Sequence, residues 1–265
     1  VTTPPFLTDE GQPRAFIIVS SARSGSNLLV GYLRQVQRAA CFGEILRSEF
    51  PDRAGWDKLV KRLELPPNAR RLHAEDAAGF WELCLRQSLR RRRFAGAKIF
   101  YYHRHDEAIW DRFAAPDHLV LHLWRDATFD QYVSRALAAE SGQWKGRDDV
   151  RAAEPEPRVT FDVDEYLAYR AMLRKEVAAT RARYGGSGRY EEIEYRQLSD
   201  HAFVADLLER HFGERIEVEE ILRQQRRRPK IEYVRNPEDA EPFVNDRLSS
   251  APTVRADPRR TSAPG

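Results

Sequence analysis

The sequence predicts an α/β protein: a P-loop-like three-layer fold with a mostly parallel central sheet flanked by helices. Three observations carry that expectation. The apolar run Ala15, Phe16, Ile17, Ile18, Val19 is followed by a Ser/Gly turn and then by Leu28, Leu29, Tyr32, Leu33 and Val36 at helical spacing. Further short apolar runs alternate with helix-patterned segments, the signature of strands joined by crossover helices. The 265 residues, 42% of them hydrophobic, suffice to bury a sizeable interior.

The first run, 15–19, is short, partly β-branched and apolar throughout, as a strand buried on both faces should be. Strands are likewise expected at 98–102, 119–124 and 192–195. Residues 161–183 form a helix by pattern: Asp162 or Asp164 is available as the cap, Tyr166, Tyr169, Leu173 and Val177 share one stripe, and Gly185 and Gly186 follow the end. Segments 146–157 and 237–265 are rich in Pro, Ala and charge without an apolar period, which predicts a loop and a disordered tail. A single domain over 15–236 follows, with no internal repeat.

No run reaches the roughly 18 apolar residues of a membrane span. Residues 1–14 lack the basic-then-apolar order of a signal peptide, so a cytoplasmic location is expected. Cys41 and Cys84 are too few for a disulfide framework or a zinc cluster and read as ordinary thiols. The 44 basic and 41 acidic residues nearly balance at +3, which gives no reason to expect nucleic acid as a partner. Arginines cluster at 90–93 and 226–228, suited either to planar contact with phosphate or sulfate or to a solvated face.

The turn Ser20, Ser21, Ala22, Arg23, Ser24, Gly25, Ser26, Asn27 lies between the first strand and the first helix, where helix amides and the dipole favour an anion. Gly25 admits close backbone approach, Ser24 and Ser26 add hydroxyls, and Arg23 adds charge. The pattern is not a Walker loop, because the lysine is missing. Taken alone, such a turn is either an anion site or a simple helix cap. A second element is the Arg125 that ends the strand 119–124, with Ser134 in the helix after it, on the edge where open α/β sheets bind ligands.

These residues resemble the sulfotransferases that use 3′-phosphoadenosine 5′-phosphosulfate (PAPS), and in particular the bacterial carbohydrate branch that includes trehalose 2-sulfotransferase and the nodulation-factor sulfotransferase. The run from Phe16 to Leu29 looks like that branch's 5′-phosphosulfate loop, and Arg125 with Ser134 resembles its 3′-phosphate pair. The segment Gly43, Glu44, Ile45, Leu46, the strand Gly96, Ala97, Lys98, Ile99, the run Ser141 to Trp144, and the late strand Ile193, Glu194, Tyr195 fit in the same order. Ile221 to Gln225, Arg228, Pro229 and Val234 to Asn236 look like the nodulation enzyme, while 48–93 matches nothing in the branch. Asn27 stands where the branch commonly has a hydroxyl residue.

The resemblance implies a sulfotransferase fold, PAPS as co-substrate, no metal, a carbohydrate or glycolipid hydroxyl as acceptor, and a homodimer. It implies catalytic roles for Glu44 as general base, with Glu49 as the rival, and for Arg23 at the leaving phosphate. Ser24, Gly25, Ser26, Asn27, Arg125, Ser134, Gln225 and Arg228 would bind the nucleotide together with Arg23. Lys98 either assists or is a peripheral strand residue, and Gln225 with Arg228 either closes over the nucleotide or faces solvent. His103 and His105 read as surface residues. Two other readings stay open: a small-molecule kinase, with Asp126 as its metal carboxylate, and a noncatalytic polyanion-binding protein.

Overall fold

The computed structural model describes residues 6–49, 53–103, 106–142, 157–217 and 228–249. The chain forms two compact units, one of Val1–Arg125 with Leu173–Gln224 and one of Asp126–Met172 with Gln225–Gly265.

The first unit holds the sheet. In chain order it runs β1 (Ala15–Ser20), α1 (Ser26–Gln35), β2 (Ala39–Cys41), α2 (Arg53–Leu63), α3 (Ala69–Glu75), α4 (Ala77–Leu89), β3 (Phe94–Phe100), α5 (Glu107–Phe113) and β4 (His118–Trp124). The second unit's α6 (Thr128–Ser141) follows, and α7 (Val163–Tyr184) leads back to the first unit's β5 (Tyr190–Glu194) and α8 (His201–Phe212). The strands pair in parallel in the order β2-β3-β1-β4-β5. Strand order reverses beside β1, so the crevice beyond the carboxyl ends of β1 and β4 is the topological switch point where such sheets take ligands.

Every residue of β1 and β3 is buried, which explains why both are apolar except for Ser20 and Lys98. Phe16, Ile18, Leu121, Leu123 and Ile193 meet Leu29 and Leu33 of α1 and Leu207, Leu208 and Phe212 of α8. Phe212 stands edge-on to Phe16 and to Phe94, each at 5.2 Å. Gly96 is required here, since a Cβ would lie 2.2 Å from the Phe16 ring. On the opposite face the Trp81 indole donates to His118 Nε2 at 2.9 Å, and Arg112 holds Asp117 through two bonds of 2.8 and 2.9 Å.

Strand β3 starts at Phe94 rather than 98, because its first residues pair with both β1 and β2. Strand β5 ends at Glu194, one residue early. The Glu194 carboxylate accepts from Arg196 N and the Gln197 amide oxygen accepts from Glu194 N, a reciprocal cap that turns the chain into a 3₁₀ segment at Tyr195–Ser199. Of the two candidate caps for α7, Asp162 serves, accepting from Glu165 N at 2.8 Å. The unassigned stretch 48–93 supplies α2, α3 and α4.

In the second unit, Phe129, Tyr132, Phe161, Tyr166 and Phe243 form an aromatic cluster. The disordered tail expected from 237 is corrected over 237–249. There α9 (Pro237–Ala240) and a 3₁₀ turn (Glu241–Phe243) bury Ala240 and Phe243, and Leu248 N donates to Asp126 O at 2.8 Å. Short buried anchors separated by charge leave no periodic trace, which is why the pattern there reads as disorder. Asp246 accepts from the Tyr166 hydroxyl at 3.0 Å and lies 3.6 Å from Arg170 Nε. Asn236 bridges Phe161 with both ends of its amide.

Candidate active site

The turn after β1 is the candidate anion cradle. Arg23 and Gly25 take left-handed backbone angles, with φ 62° and 92°, and the Ser24 hydroxyl donates back to Ser21 O at 2.8 Å. Gly25 caps α1, its carbonyl accepting from Leu28 N and Leu29 N, and the first amides of a helix have no intrahelical acceptor. Ser20, Ser21, Ser24 and Ser26 are all buried although polar. The Ser20 hydroxyl, fully buried at the end of β1, has no hydrogen-bond partner among the described residues. A bound oxyanion is the kind of group such a hydroxyl lacks.

Lys98 ties this turn to a carboxylate. It lies on β3 opposite Ile18 of β1 and is 3% exposed. Its ammonium donates to Asn27 Oδ1 at 2.6 Å and to Ser26 Oγ at 3.3 Å, and pairs with Glu44 Oε1 at 3.0 Å. Glu44 follows β2, where Lys98 N donates to Gly43 O and so extends the β2–β3 ladder to the sheet's carboxyl edge. Burial alone would raise the Glu44 carboxyl, but Lys98, helped by His103 and Arg47, outweighs it and leaves the group below its ordinary value. Glu49 is exposed. Lys98 is therefore no peripheral residue, and Asn27, the departure from the family pattern, serves as its acceptor.

Arg125 immediately follows β4. Its guanidinium lies 4.6 Å from the centroid of the Tyr195 ring. Gly25 also meets that ring, since a Cβ there would fall 2.4 Å from Tyr195 Cδ2. One aromatic side chain thus links the cradle's glycine to the arginine across the switch point. Ser134 is buried in α6 of the second unit. Arg228, also in the second unit, lines an open cavity of about 380 Å³ with Arg158, Glu232 and Tyr233. Gln225 lies outside the described residues, as do His105, Gln143 and Trp144.

Comparison with solved structures bears on the architecture. The sulfotransferase domain from the curacin biosynthetic pathway superposes with a TM-score of 0.50 at 16% identity, over 77% of this chain and 75% of that one. This chain has the fold of a sulfotransferase domain. The sulfotransferase domain from the Synechococcus PCC 7002 olefin synthase gives a TM-score of 0.48 at 16% identity over 76% and 74% of the two chains. No family model and no curated protein matches the sequence.

Within that sulfotransferase fold, two residues of the site escape sequence reasoning. Tyr195 reads as the last residue of a strand, yet the Glu194 cap turns it toward Gly25. His103 reads as a surface residue and is instead 10% exposed, with Nε2 3.7 Å from Glu44 Oε2. Asp106 and Glu107, three and four residues on, are the acidic groups that local spacing offers His103, and the sequence holds no signal for a partner as distant in the chain as Glu44. The Arg90 to Arg93 cluster precedes β3 at the sheet's amino edge, away from the cradle. There Arg91 pairs with Glu64, and Arg92 donates to Gln37 O.

Proposed function

We propose that the protein is a sulfotransferase that moves a sulfuryl group from PAPS to a hydroxyl of a carbohydrate or glycolipid acceptor. The observation that carries this reading is the Lys98 contact set, in which one buried ammonium touches the anion cradle and a carboxylate at once. Sulfuryl transfer needs both, a fixed positive charge at the leaving phosphate and a base at the incoming oxygen.

In this reading the acceptor oxygen bonds to sulfur, the bond from sulfur to the phosphate oxygen breaks with its electron pair, and the acceptor proton passes to Glu44. Arg23, the buried serines and the first amides of α1 would hold the 5′-phosphosulfate, with Lys98 at the bridging oxygen. Arg125, carried on Tyr195, would hold the 3′-phosphate. Glu44 is ionised at neutral pH, as a base must be, while the Lys98 charge that lowers its carboxyl also tempers its basicity.

Asp126, which a kinase reading would reserve for a metal, accepts instead from the Ser249 amide at 3.0 Å and the Ser249 hydroxyl at 2.9 Å. Calorimetry with 3′-phosphoadenosine 5′-phosphate (PAP), the spent donor, tests the proposal. Tight binding of PAP and weak binding of adenosine 5′-phosphate is the expected result; equal affinities would remove it.

A further inference from the structure

His122 is bonded through both ring nitrogens, and its neighbours fix the direction of each bond. The order starts at Arg181 of α7, whose guanidinium donates to the Glu192 carboxylate on β5 and holds it below its ordinary value. An ionised carboxylate only accepts, so the Tyr190 hydroxyl spends its proton on Glu192 Oε2 at 3.0 Å. The Tyr190 oxygen then accepts from His122 Nδ1, 2.6 Å away. Burial pushes the His122 ring down to about 4, so at neutral pH the ring carries that proton alone. Its Nε2 is left as an acceptor and takes the Tyr101 hydroxyl at 2.7 Å.

This last bond crosses the sheet. Tyr101 follows β3, His122 lies on β4, and β1 runs between those two strands. His122 and Tyr101 are both buried. The backbone of Tyr101 begins a turn, 101–103, that is tied to both sides of the site. Tyr101 N donates to Ser20 O at 3.0 Å, and His103 O accepts from Ser48 N at 3.2 Å. Ser48 closes the short segment that starts at Glu44, within which Arg47 N donates to Glu44 O. We propose that His122 and Tyr101 are positioning residues for the acceptor side of the site: His122 Nε2 anchors the Tyr101 hydroxyl, fixes the turn 101–103, and through Ser48 holds the segment that carries Glu44. The inference rests on the function proposed above, with Glu44 as the base.

The two ring nitrogens can be tested apart, because an asparagine amide reaches where Nδ1 stands and a glutamine amide where Nε2 stands. His122→Gln therefore keeps an acceptor for Tyr101, His122→Asn keeps only a donor for Tyr190, and Tyr101→Phe removes the anchored hydroxyl. The readouts are the His122 tautomer by nitrogen NMR, amide hydrogen exchange at Ser48, PAP affinity by calorimetry, and PAP release from PAPS with methyl glucoside as the hydroxyl probe. A proton on Nδ1 is expected in the wild-type protein. Ser48 should exchange about tenfold faster in Tyr101→Phe and in His122→Asn while α1 exchanges as before. PAP release should slow in the same two variants at unchanged PAP affinity, and His122→Gln should stay close to wild type. If PAP fails to bind the wild-type protein, the proposed function falls and this inference with it. If PAP binds but the proton is on Nε2, Ser48 exchange or PAP release in Tyr101→Phe equals wild type, or His122→Gln is as impaired as His122→Asn, the inference alone is overturned. Where turnover with the probe lies below detection, the tautomer and the exchange rates decide.

Discussion

Arg125 stacks on Tyr195, its guanidinium carbon 4.6 Å from the ring centroid, and the same ring fills the space that a side chain at Gly25 would need. The arginine is thereby held next to the cradle by packing. Arg125→Ala should lower PAP affinity by about 10- to 150-fold, the worth of a charge-assisted contact, and leave adenosine 5′-phosphate affinity nearly unchanged. Tyr195→Leu should lose part of the same discrimination. Calorimetry on the two nucleotides reads both effects.

Gly25→Ala tests the close approach. Its φ of 92° is strained for alanine, at about 1–3 kcal/mol, and the new methyl would meet the Tyr195 ring. The variant should melt earlier and bind PAP poorly. Adding Tyr195→Ala should recover the loss due to collision but not the loss due to φ, so the two changes are non-additive in a thermal-melt cycle.

The Glu44 carboxyl sits below its ordinary value because Lys98 overrides the effect of burial. A base is active when ionised, so turnover should stay level as pH falls through the usual carboxylate range and decline only below it. Lys98→Met removes the main lowering influence, leaves burial to raise the carboxyl, and should move the acid limb of the kcat profile upward. Glu44→Gln should cut kcat by roughly 10²–10⁴-fold with PAP affinity retained. Glu49→Gln, measured in parallel, should be close to wild type.

In the proposed reaction Arg23, Lys98 and Arg125 supply the positive charge that the phosphates need. Turnover of PAPS should therefore survive dialysis against EDTA. A loss restored by magnesium would favour phosphoryl transfer instead.

Asp246 ties the segment after α9 to Tyr166 and Arg170, the latter 2% exposed. Asp246→Ala should cost about 3–5 kcal/mol, the range for breaking a buried ion pair. A denaturant midpoint unmoved by the substitution would contradict this role.

The sheet was legible in the sequence because its central strands are buried and so read as short, mostly apolar runs. The cradle was legible because Ser20 to Asn27 is contiguous. What was hidden depends on residues far apart in the chain. Lys98 meets Glu44 only because β3 lies beside β2, and Tyr195 meets Gly25 only after the Glu194 cap redirects the backbone. The three-residue β2 gives too short a pattern to stand out, and α2 to α4 carry no motif, only amphipathic spacing that serves a structural purpose.

The brevity of β2 has a consequence for how such a protein can change. The turn carrying Arg23 to Asn27 and the Arg125 position follow β1 and β4, which lie side by side in the interior of the sheet. Glu44 hangs from the outermost strand, fastened by three residue pairs, and the three helices of the otherwise unmatched stretch come directly after it. In the proposed reaction, donor and acceptor duties are thus attached to strands of different depth in the sheet. A lineage could exchange or lengthen the margin and address new hydroxyls while the centre, and with it the grip on the nucleotide, is inherited intact.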